Sequence, residues 1–499
     1  MICIPIVAPT TEEALRDMER AEHTVDMTEL RLDVLPRDAW IPLLQRRQKP
    51  CIVTLRPERE GGHFRQEEGT RIALLESLLR FTPDFIDLEW DTPPDLMGSL
   101  LRKKSEKTGV IVSYHNVTET PQNLEDVLKK VTSRGGDVAK IVTQATDLAD
   151  NAQLLGLCRK RTGQIIAFCM GSFGIPSRIL TLRSGGFLTF GTLSPEKASA
   201  PGQLPARDLR DTYRVHQIGR DTRVFGLIGD PIAHSLSPVI HNGAFQSLGL
   251  DAVYLPLRVR VLDRLLWILE EMGVEGLSVT IPHKERIVPL LDEADVEATK
   301  MGAVNTVYHR DGQWLGTNTD AYGAWRALTM ETTDLRHKRW MIIGAGGAAR
   351  AVAYSAGLHG RPTSLTVVGR NQERVMGLLD HVRNIVNVPV SGVVYPGGDL
   401  RGPLHATDIV VNATPVGMAP AVDETPIPPD LIEPHHVVFD TVYHPMETRL
   451  LREARQRGAE TRSGFQMFLY QGAAQFEHWT RQKAPLELMA KKAQERLTS

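Results

Sequence analysis

Gly109-Val-Ile-Val-Ser-Tyr114, Asp137-Val-Ala-Lys-Ile-Val-Thr143 and Gln164-Ile-Ile-Ala-Phe-Cys169 are short apolar runs, and the segments between them, Asn123–Thr132 and Leu148–Arg161, have helical periodicity. Short apolar runs bounded by amphipathic stretches predict buried strands joined by crossover helices. The same alternation fills the first 215 residues, with further apolar runs at 2–8, 27–33, 50–55, 84–90 and 187–191 and helical segments at Glu12–Glu22 and Arg71–Phe81. Eight strands separated by helices are what a (β/α)8 barrel requires, and roughly 200 residues suffice for one. The pattern by itself also admits an open doubly wound sheet.

The charged stretch Arg207-Asp-Leu-Arg-Asp-Thr-Tyr-Arg214 predicts a last helix, and a new strand begins at Val224, so the boundary falls near 217–223. Beyond it the chain is again α/β but divides once more. Strands are predicted at 224–229, 252–257 and 275–281, with a hairpin around Arg310-Asp-Gly312. A fresh strand, Arg339-Trp-Met-Ile-Ile343, runs into Gly344-Ala-Gly-Gly347 and an Ala-rich helix, and strands follow at 364–369, 408–412 and 437–441. The predicted organisation is a barrel over 1–217, an α/β domain over 224–330 completed by C-terminal helices at about 466–499, and a Rossmann-type domain over 331–465.

A chain of 499 residues with 42% hydrophobic and 24% charged residues is ordinary for a globular multidomain protein. With 58 Lys+Arg against 60 Asp+Glu the net charge is −2, which supplies no drive toward nucleic acid or an anionic membrane. Cys3, Cys51, Cys158 and Cys169 are widely spaced, so buried thiols in a reducing cytosol are expected rather than a zinc site or disulfides. The apolar start, Met1-Ile-Cys-Ile-Pro-Ile-Val7, lacks a basic region and reads as a strand, not a signal peptide. No run of about 18 uncharged apolar residues occurs. The expected location is cytoplasmic.

Catalysis in a barrel sits at the C-terminal ends of the strands, so polar residues there carry weight. In order they are Glu29, Arg31 and Asp33, then Arg56, Glu89, His115 and Lys140. Alternation puts Glu29, Arg31 and Asp33 on one side of their strand. Lys140 stands in an otherwise apolar strand, where burial and nearby arginines favour a neutral, nucleophilic amine. His115 on the neighbouring strand is placed to exchange protons with whatever Lys140 holds. The alternative is that Lys140 pairs with Glu89 as structural charge.

These residues belong to strings that resemble type I 3-dehydroquinate dehydratase, in order and over the whole 1–215 region: Glu29-Leu-Arg-Leu-Asp33, Thr54-Leu-Arg56, Glu60-Gly-Gly62, Ser113-Tyr-His115, Asp137-Val-Ala-Lys140, Met170-Gly171 and Ala198-Ser-Ala-Pro-Gly-Gln203. The resemblance implies that Lys140 forms an imine with the C3 ketone of 3-dehydroquinate. It implies that His115 removes a C2 proton and assists loss of the C1 hydroxyl as water, with Glu60 in support. Arg178 would clamp the substrate carboxylate, and Glu29, Arg31, Arg56, Ser199 and Gln203 would hold ring hydroxyls and close the site. The N-terminal hairpin that bacterial members often place under the barrel has no counterpart ahead of the strand beginning at residue 2.

In the second half, Gly344-Ala-Gly-Gly-Ala-Ala349 lies between a strand and a helix, the context in which glycines let backbone approach a pyrophosphate and a helix N-terminus donates to it. Plain tight turns and methyl-donor sites use similar strings. Arg370 stands where NAD-binding units carry an acid, and with Arg374 it favours a 2′-phosphate, hence NADP; the alternative is a solvated helix start. Ser235 and Ser237 are placed either as ligands or as helix caps. Four further strings precede the glycine loop or follow it: Ser278-Val-Thr-Ile-Pro-His-Lys284, Gly302-Ala-Val-Asn-Thr306, Gly316-Thr-Asn-Thr-Asp320 and Asn412-Ala-Thr-Pro-Val-Gly417. With Asp230-Pro-Ile-Ala-His-Ser-Leu-Ser-Pro238 and Tyr470-Gln471 they resemble shikimate dehydrogenase across 224–499. That resemblance makes Lys284 and Asp320 the polar pair beside the reacting oxygen, where hydride delivery to a ketone needs a proton at the new alkoxide. Ser235, Ser237, Asn305 and Gln471 would bind substrate, with Thr280 and Tyr443 lining the pocket. Gly344, Ala345, Gly346, Gly347, Ala348, Asn371, Thr414 and Gly464 would assist the cofactor. Two departures are Ala321-Tyr322 in place of a glycine after the aspartate, and Gly369-Arg370-Asn371 in place of Asn-Arg-Thr.

The halves fit one another, since the product implied for the first is the substrate implied for the second. Together they imply a bifunctional enzyme converting 3-dehydroquinate to 3-dehydroshikimate and then, with NADPH and no metal, to shikimate, with these small molecules as partners and neither nucleic acid nor membrane. Two alternatives are a catabolic quinate/shikimate dehydrogenase using NAD and a non-enzymatic metabolite sensor.

Overall fold

A computed structural model describes residues 1–160, 163–330 and 334–498. Arg161 at the end of the predicted segment Leu148–Arg161, residues 331–333 at the predicted start of the Rossmann-type domain, and Ser499 lie outside the described residues. The chain divides into two compact units, Met1–Gly226 with Gly249–Val274, and Leu227–Leu248 with Glu275–Ser499.

The first unit contains eight parallel strands: β1 (Ile2–Ile6), β2 (Met27–Arg31), β3 (Cys51–Thr54), β4 (Phe85–Glu89), β5 (Gly109–Asn116), β6 (Val138–Gln144), β7 (Gln164–Met170) and β8 (Thr189–Phe190). Their order, β7-β6-β5-β4-β3-β2-β1-β8, is that of a nearly closed barrel. The gap is bridged where Phe187 donates its N–H to the Ile165 carbonyl at 2.7 Å. Period-two alternation fills the lumen in layers. Cys3, Met27, Ile52, Ile111, Val138 and Ile166 form an apolar floor, and two residues further along their strands come Glu29, Thr54, Ser113, Lys140 and Phe168. Apolar packing therefore closes most of the bottom, and the polar lumen residues lie toward the C-terminal ends of the strands. The predicted helix over 207–214 is instead one turn, Asp208–Thr212, capped by Tyr213 N–H on the Asp208 carbonyl at 2.9 Å. Arg214, at φ 50°, turns the chain out of the helix.

A second sheet has the order β10-β9-β11-β13-β14-β12, from β9 (Arg223–Gly229), β10 (Ala252–Arg258), β11 (Val274–Val279), β12 (Glu293–Ala294), β13 (Thr306–Arg310) and β14 (Gln313–Thr317). The predicted hairpin is β13–β14, with Arg310 opposite Gln313 and both turn residues, Asp311 and Gly312, at positive φ.

The third sheet is wholly parallel, with β15 (Arg339–Ile343), β16 (Ser364–Gly369), β17 (Val390–Val394), β18 (Ile409–Asn412), β19 (Val437–Asp440) and β20 (Glu460–Ser463) in the order β17-β16-β15-β18-β19-β20. This order reverses direction beside β15, which is the Rossmann switch point where nucleotides bind. Helix Gly464–Thr480 then returns to the second sheet, where Gln475 donates to the Asn305 carbonyl and Trp479 to that of Val307, at 3.0 and 3.1 Å. No described helix is long and apolar enough to cross a membrane.

Candidate active sites

At the mouth of the barrel a cavity of about 160 Å³ is lined by Glu29, Arg31, Arg56, Glu60, His115, Lys140, Arg178, Ser199 and Gln203, together with apolar residues that include Phe168, Met170 and Phe190. All the barrel residues singled out from sequence come together here except Asp33 and Glu89. β2 ends at Arg31, so Asp33 leaves the alternation; it grips Arg31 by two hydrogen bonds of 3.0 and 2.8 Å from behind the cavity wall.

Lys140 is buried, and its Nζ lies 2.8 Å from Asp87 Oδ2 and 3.6 Å from Glu29 Oε1. The alternative pairing with Glu89 is thereby corrected: Glu89 is taken by Arg56 at 2.7 Å and Arg71 at 2.5 Å. Asp87, one layer deeper on the same face of β4, was not singled out from sequence. It also accepts from Arg56 at 2.9 Å and from Ser113 Oγ at 2.6 Å. Burial opposes its charge, but Arg56, Lys140 and His115 outweigh burial and hold the Asp87 carboxyl well below the ordinary range.

Glu60, on the turn Glu58–Glu60 after β3, lies 2.9 Å from His115 Nδ1. Burial, reinforced by Arg56 and Lys140, pushes the His115 imidazole well below its usual pKa, so the ring is neutral and able to accept a proton. Burial pushes Glu60 up to about 8 against the pull of Arg56, with Glu89, Asp91 and Asp87 adding to the rise. Ser199 and Gln203 pair with each other: the Gln203 side chain accepts from Ser199 N–H at 2.8 Å and donates to Ser199 Oγ at 3.2 Å.

Arg178 is 1% exposed and has no carboxylate partner among the described residues. Its guanidinium stacks on Phe168 at 4.6 Å and makes only long bonds, 3.5 and 3.4 Å, to the Phe190 and Pro201 carbonyls. Burial lowers its pKa to about 10. A buried guanidinium facing a cavity without a counter-ion is chemically suited to an anionic group such as a carboxylate.

In the second unit, Lys284 and Asp320 form an ion pair. Asp320 opens helix Asp320–Leu328, and its other oxygen accepts from Asn305 Nδ2 at 2.9 Å. Asn305 also donates to Thr319 Oγ1 at 3.1 Å and to Gln471 Oε1 at 3.4 Å. Lys284, Asp320, Asn305 and Gln471 thus form one polar cluster. Thr319 completes it, accepting through Oγ1 and donating to the Gln471 carbonyl at 3.0 Å; it was not singled out from sequence. Ser235 Oγ accepts from Ser237 N–H at 3.2 Å, as a cap does, and also bonds the Tyr443 side chain, which stacks on Phe468 at 4.5 Å. Burial raises the Tyr443 phenol. Thr280 packs its methyl over Gly229.

The glycine loop meets the stem of Lys284. A Cβ on Gly347 would come within 3.0 Å of Lys284 Cδ, so this glycine lets the lysine cross the mouth of the loop. Gly344 has φ +120°, and its Cβ would strike the Ala413 carbonyl at 2.8 Å, with Thr414 beyond. At Gly346 a Cβ would meet nothing, which leaves open space before the N-terminus of helix Gly347–Ser355, with Ala345 and Ala348 half-buried beside it. Open backbone at a switch point, facing helix N–H groups, fits a pyrophosphate. Arg370 and Arg374 are exposed at the end of β16 and unpaired among the described residues. Asn371 caps helix Gln372–Arg383 through Arg374 N–H at 2.9 Å. Gly464 is fixed by packing, because its Cβ would lie 2.4 Å from the Thr441 carbonyl.

Family models match on both sides of the boundary: type I 3-dehydroquinase over residues 2–220, the shikimate dehydrogenase substrate-binding domain over 227–307, and the shikimate 5′-dehydrogenase C-terminal domain over 464–494. A bifunctional 3-dehydroquinate dehydratase/shikimate dehydrogenase, chloroplastic, of Arabidopsis thaliana is 37% identical over 98% of this chain and 83% of its own length. The chain belongs to this bifunctional family. The dehydratase half is a lyase and the dehydrogenase half an oxidoreductase, both of the shikimate pathway. A shikimate dehydrogenase (NADP(+)) of Moorella thermoacetica is 43% identical over 55% of this chain and 93% of its own length. A crystal structure of a shikimate dehydrogenase in complex with NADP+ matches with a TM-score of 0.52 at 37% identity, covering 56% of this chain and 98% of that one.

Proposed function

We propose that the barrel, 1–217, dehydrates 3-dehydroquinate through an imine on Lys140, and that 224–330 with the helices at about 466–499 reduces the product on NADPH held by 331–465. The observation that carries the first step is the pairing, on one cavity, of a buried lysine with a histidine kept neutral by its surroundings. Lys140 attacks the C3 ketone, water leaves, and the protonated imine becomes the electron sink. His115 removes the C2 proton and returns one to the departing C1 hydroxyl, Glu60 holding its Nδ1 throughout. Hydrolysis of the conjugated imine frees Lys140. Arg178 takes the substrate carboxylate, and Glu29, Arg31, Arg56, Ser199 and Gln203 hold the hydroxyls.

In the second step Lys284 gives its charge, and a proton, to the oxygen that becomes a hydroxyl, while Asp320 and Asn305 fix its ammonium and a neighbouring ring hydroxyl. Ser235, Ser237, Thr280, Tyr443 and Gln471 surround the rest of the ring. Gly344, Ala345, Gly346, Gly347, Ala348, Thr414 and Gly464 would shape the cofactor cleft, Asn371 would fix the helix that follows β16, and Arg370 and Arg374 would meet a 2′-phosphate. NADPH supplies the hydride. Neither step calls for a metal, because the imine and the protein charges stabilise the developing charge, and the chain is assigned to the cytoplasm.

The test supplies purified protein with 3-dehydroquinate and NADPH and no other enzyme. Shikimate accumulating in proportion to NADPH oxidised is the expected result. Accumulation of 3-dehydroshikimate with NADPH untouched overturns the cofactor assignment, and unconsumed 3-dehydroquinate overturns the dehydratase reading.

A further inference from the structure

Ser199 and Gln203 belong to the segment after β8, which carries no strand or α-helix of its own between residues 193 and 203. Two backbone contacts seat it against the end of β7. Gly171 donates its N–H to the Pro201 carbonyl at 2.9 Å, and Gly202, at φ +76°, approaches Gly171 so closely that a Cβ would lie 2.2 Å from its carbonyl oxygen. The same Pro201 carbonyl accepts from Arg178 at 3.4 Å, so the seated segment also touches the proposed carboxylate receptor. A third attachment comes from far away in sequence. Lys197 reaches helix Thr11–Glu22 and lies between two carboxylates, with Nζ 2.7 Å from Asp17 Oδ2 and also paired with Glu13. The two acids are one helical turn apart and so face the lysine together. Asp17 is 8% exposed at its side chain and Lys197 26%, so water and salt screen this pair less than a surface pair.

We infer that Lys197 is a positioning residue for dehydration: its ion pairs with Glu13 and Asp17 hold the 193–203 segment over the barrel mouth, and with it Ser199, Gln203 and the Pro201 carbonyl. This rests on the dehydratase reading above and adds to it a residue that touches no substrate. A segment attached by a few polar contacts is seated for only a fraction of the time, and apparent affinity falls with that fraction. Losing the latch should therefore raise KM for 3-dehydroquinate and leave kcat nearly unchanged, since bound substrate re-seats the segment.

The experiment measures dehydratase kinetics of the full-length chain as wild type, Lys197→Met, Lys197→Arg and the double variant Glu13→Gln/Asp17→Asn. For a half-buried pair the KM rise expected in Lys197→Met and in the double variant is about fivefold, with kcat within about twofold. Lys197→Arg restores the wild-type KM, and reduction of 3-dehydroshikimate by the same samples is unchanged. A wild-type KM in either Lys197→Met or the double variant overturns the inference, as does a fall in kcat at constant KM. If Lys197→Met does not fold, the double variant decides. Failure of the wild-type chain to dehydrate 3-dehydroquinate overturns the dehydratase reading itself, whereas a fully active wild type with an unmoved variant KM overturns the latch alone.

Discussion

The two lysines live in opposite surroundings. Lys140 is sealed in the barrel with Asp87 and Glu29 against its ammonium and the Phe190 ring 4.7 Å away. Lys284 is half-buried, shares one carboxylate, and lays its stem across a glycine loop whose middle residue faces open space. The contrast follows from what each must supply. On the proposed reading the protein provides the electron sink in dehydration, so the amine must be aimed and desolvated by groups already in place. In reduction the hydride arrives with a cofactor, so the lysine need only meet one oxygen, and the site must stay open beside it.

The hardest test of this contrast exchanges the loss. Lys140→Ala should abolish dehydration by on the order of 10⁴-fold or more, because it removes the group that bonds the substrate, while leaving reduction intact. Lys284→Ala should lower reduction by about 10²–10⁴-fold, the range for a lost acid–base group, and spare dehydration. Steady-state assays of each half reaction on each variant read both. Loss of both activities in either variant would show that the sites are not separable.

Arg178 sharpens the comparison, because the second site has no equally buried, unpaired cation among the residues described for it. Arg178→Met keeps an apolar stem against Phe168 and removes a charge with no carboxylate partner. Folding stability, read by thermal or denaturant unfolding, should rise by about 1–3 kcal/mol. KM for 3-dehydroquinate should rise by about a hundredfold, roughly 3 kcal/mol of lost carboxylate binding. A variant that binds less well but is no more stable would mean that Arg178 is compensated within the folded protein.

The same alternation explains what sequence reading could and could not reach. Glu29, Arg31, His115 and Lys140 were legible because parity along a strand puts them on the lumen side near its end, and Arg56 keeps that parity two residues past the end of β3. Asp87 has the right parity too, but how deep it sits relative to Lys140 depends on barrel stagger, which sets Ser113, not Asp87, beside Lys140 in register. Sequence periodicity carries no information on stagger, and by strand end alone Glu89 is the nearer carboxylate. Asp33 stands as far past β2 as Arg56 does past β3, but its carboxylate is committed to Arg31 and does not line the cavity, a pairing that periodicity does not encode. In the third sheet, β20 is Glu460-Thr-Arg-Ser463, a polar edge strand with no apolar alternation, and β17 is half-exposed Val390-Ser-Gly-Val-Val394; neither was predicted. The strand–glycine turn–helix context of the loop, by contrast, was legible, because the turn is local to six consecutive residues.

A pH series on wild type and a Glu60 variant isolates one barrel carboxyl. Glu60 titrates in the folded protein at about 8 instead of 4.5, so the stability it lends is fully present below 4.5 and is lost as pH rises through 8. His115 shifts the other way: its contribution is present above 6.5 and is lost as pH falls through its depressed folded value. Between pH 5 and 6.5 the two slopes oppose each other. Glu60→Gln removes the first, so the variant should gain stability relative to wild type as pH rises from 5 to 8, by about 3 kcal/mol. Chemical denaturation at several pH values checks this, and a constant difference would mean that Glu60 stays ionised beside His115.

The smallest effect belongs to the open site. Arg370 follows β16 directly, is exposed, and has no ion-pair partner among the described residues, whereas Asn371 beside it is already committed to capping the next helix. A guanidinium kept out of any internal pair is free to meet a 2′-phosphate, but in water that contact is worth far less than one made in the sealed barrel. Arg370→Ser should therefore raise KM for NADPH about tenfold, roughly 1.4 kcal/mol, and leave KM for NADH unchanged. The loss should shrink further at high salt, as a solvent-exposed charge contact must. An equal loss with both cofactors would assign Arg370 to the shape of the cleft and pass discrimination to Arg374, one turn along the helix that Asn371 begins. Either outcome bears on the same difference: in the barrel, charge is placed before the ligand arrives and stability bears the cost, while at the cofactor cleft it waits in solvent and its effect is correspondingly slight.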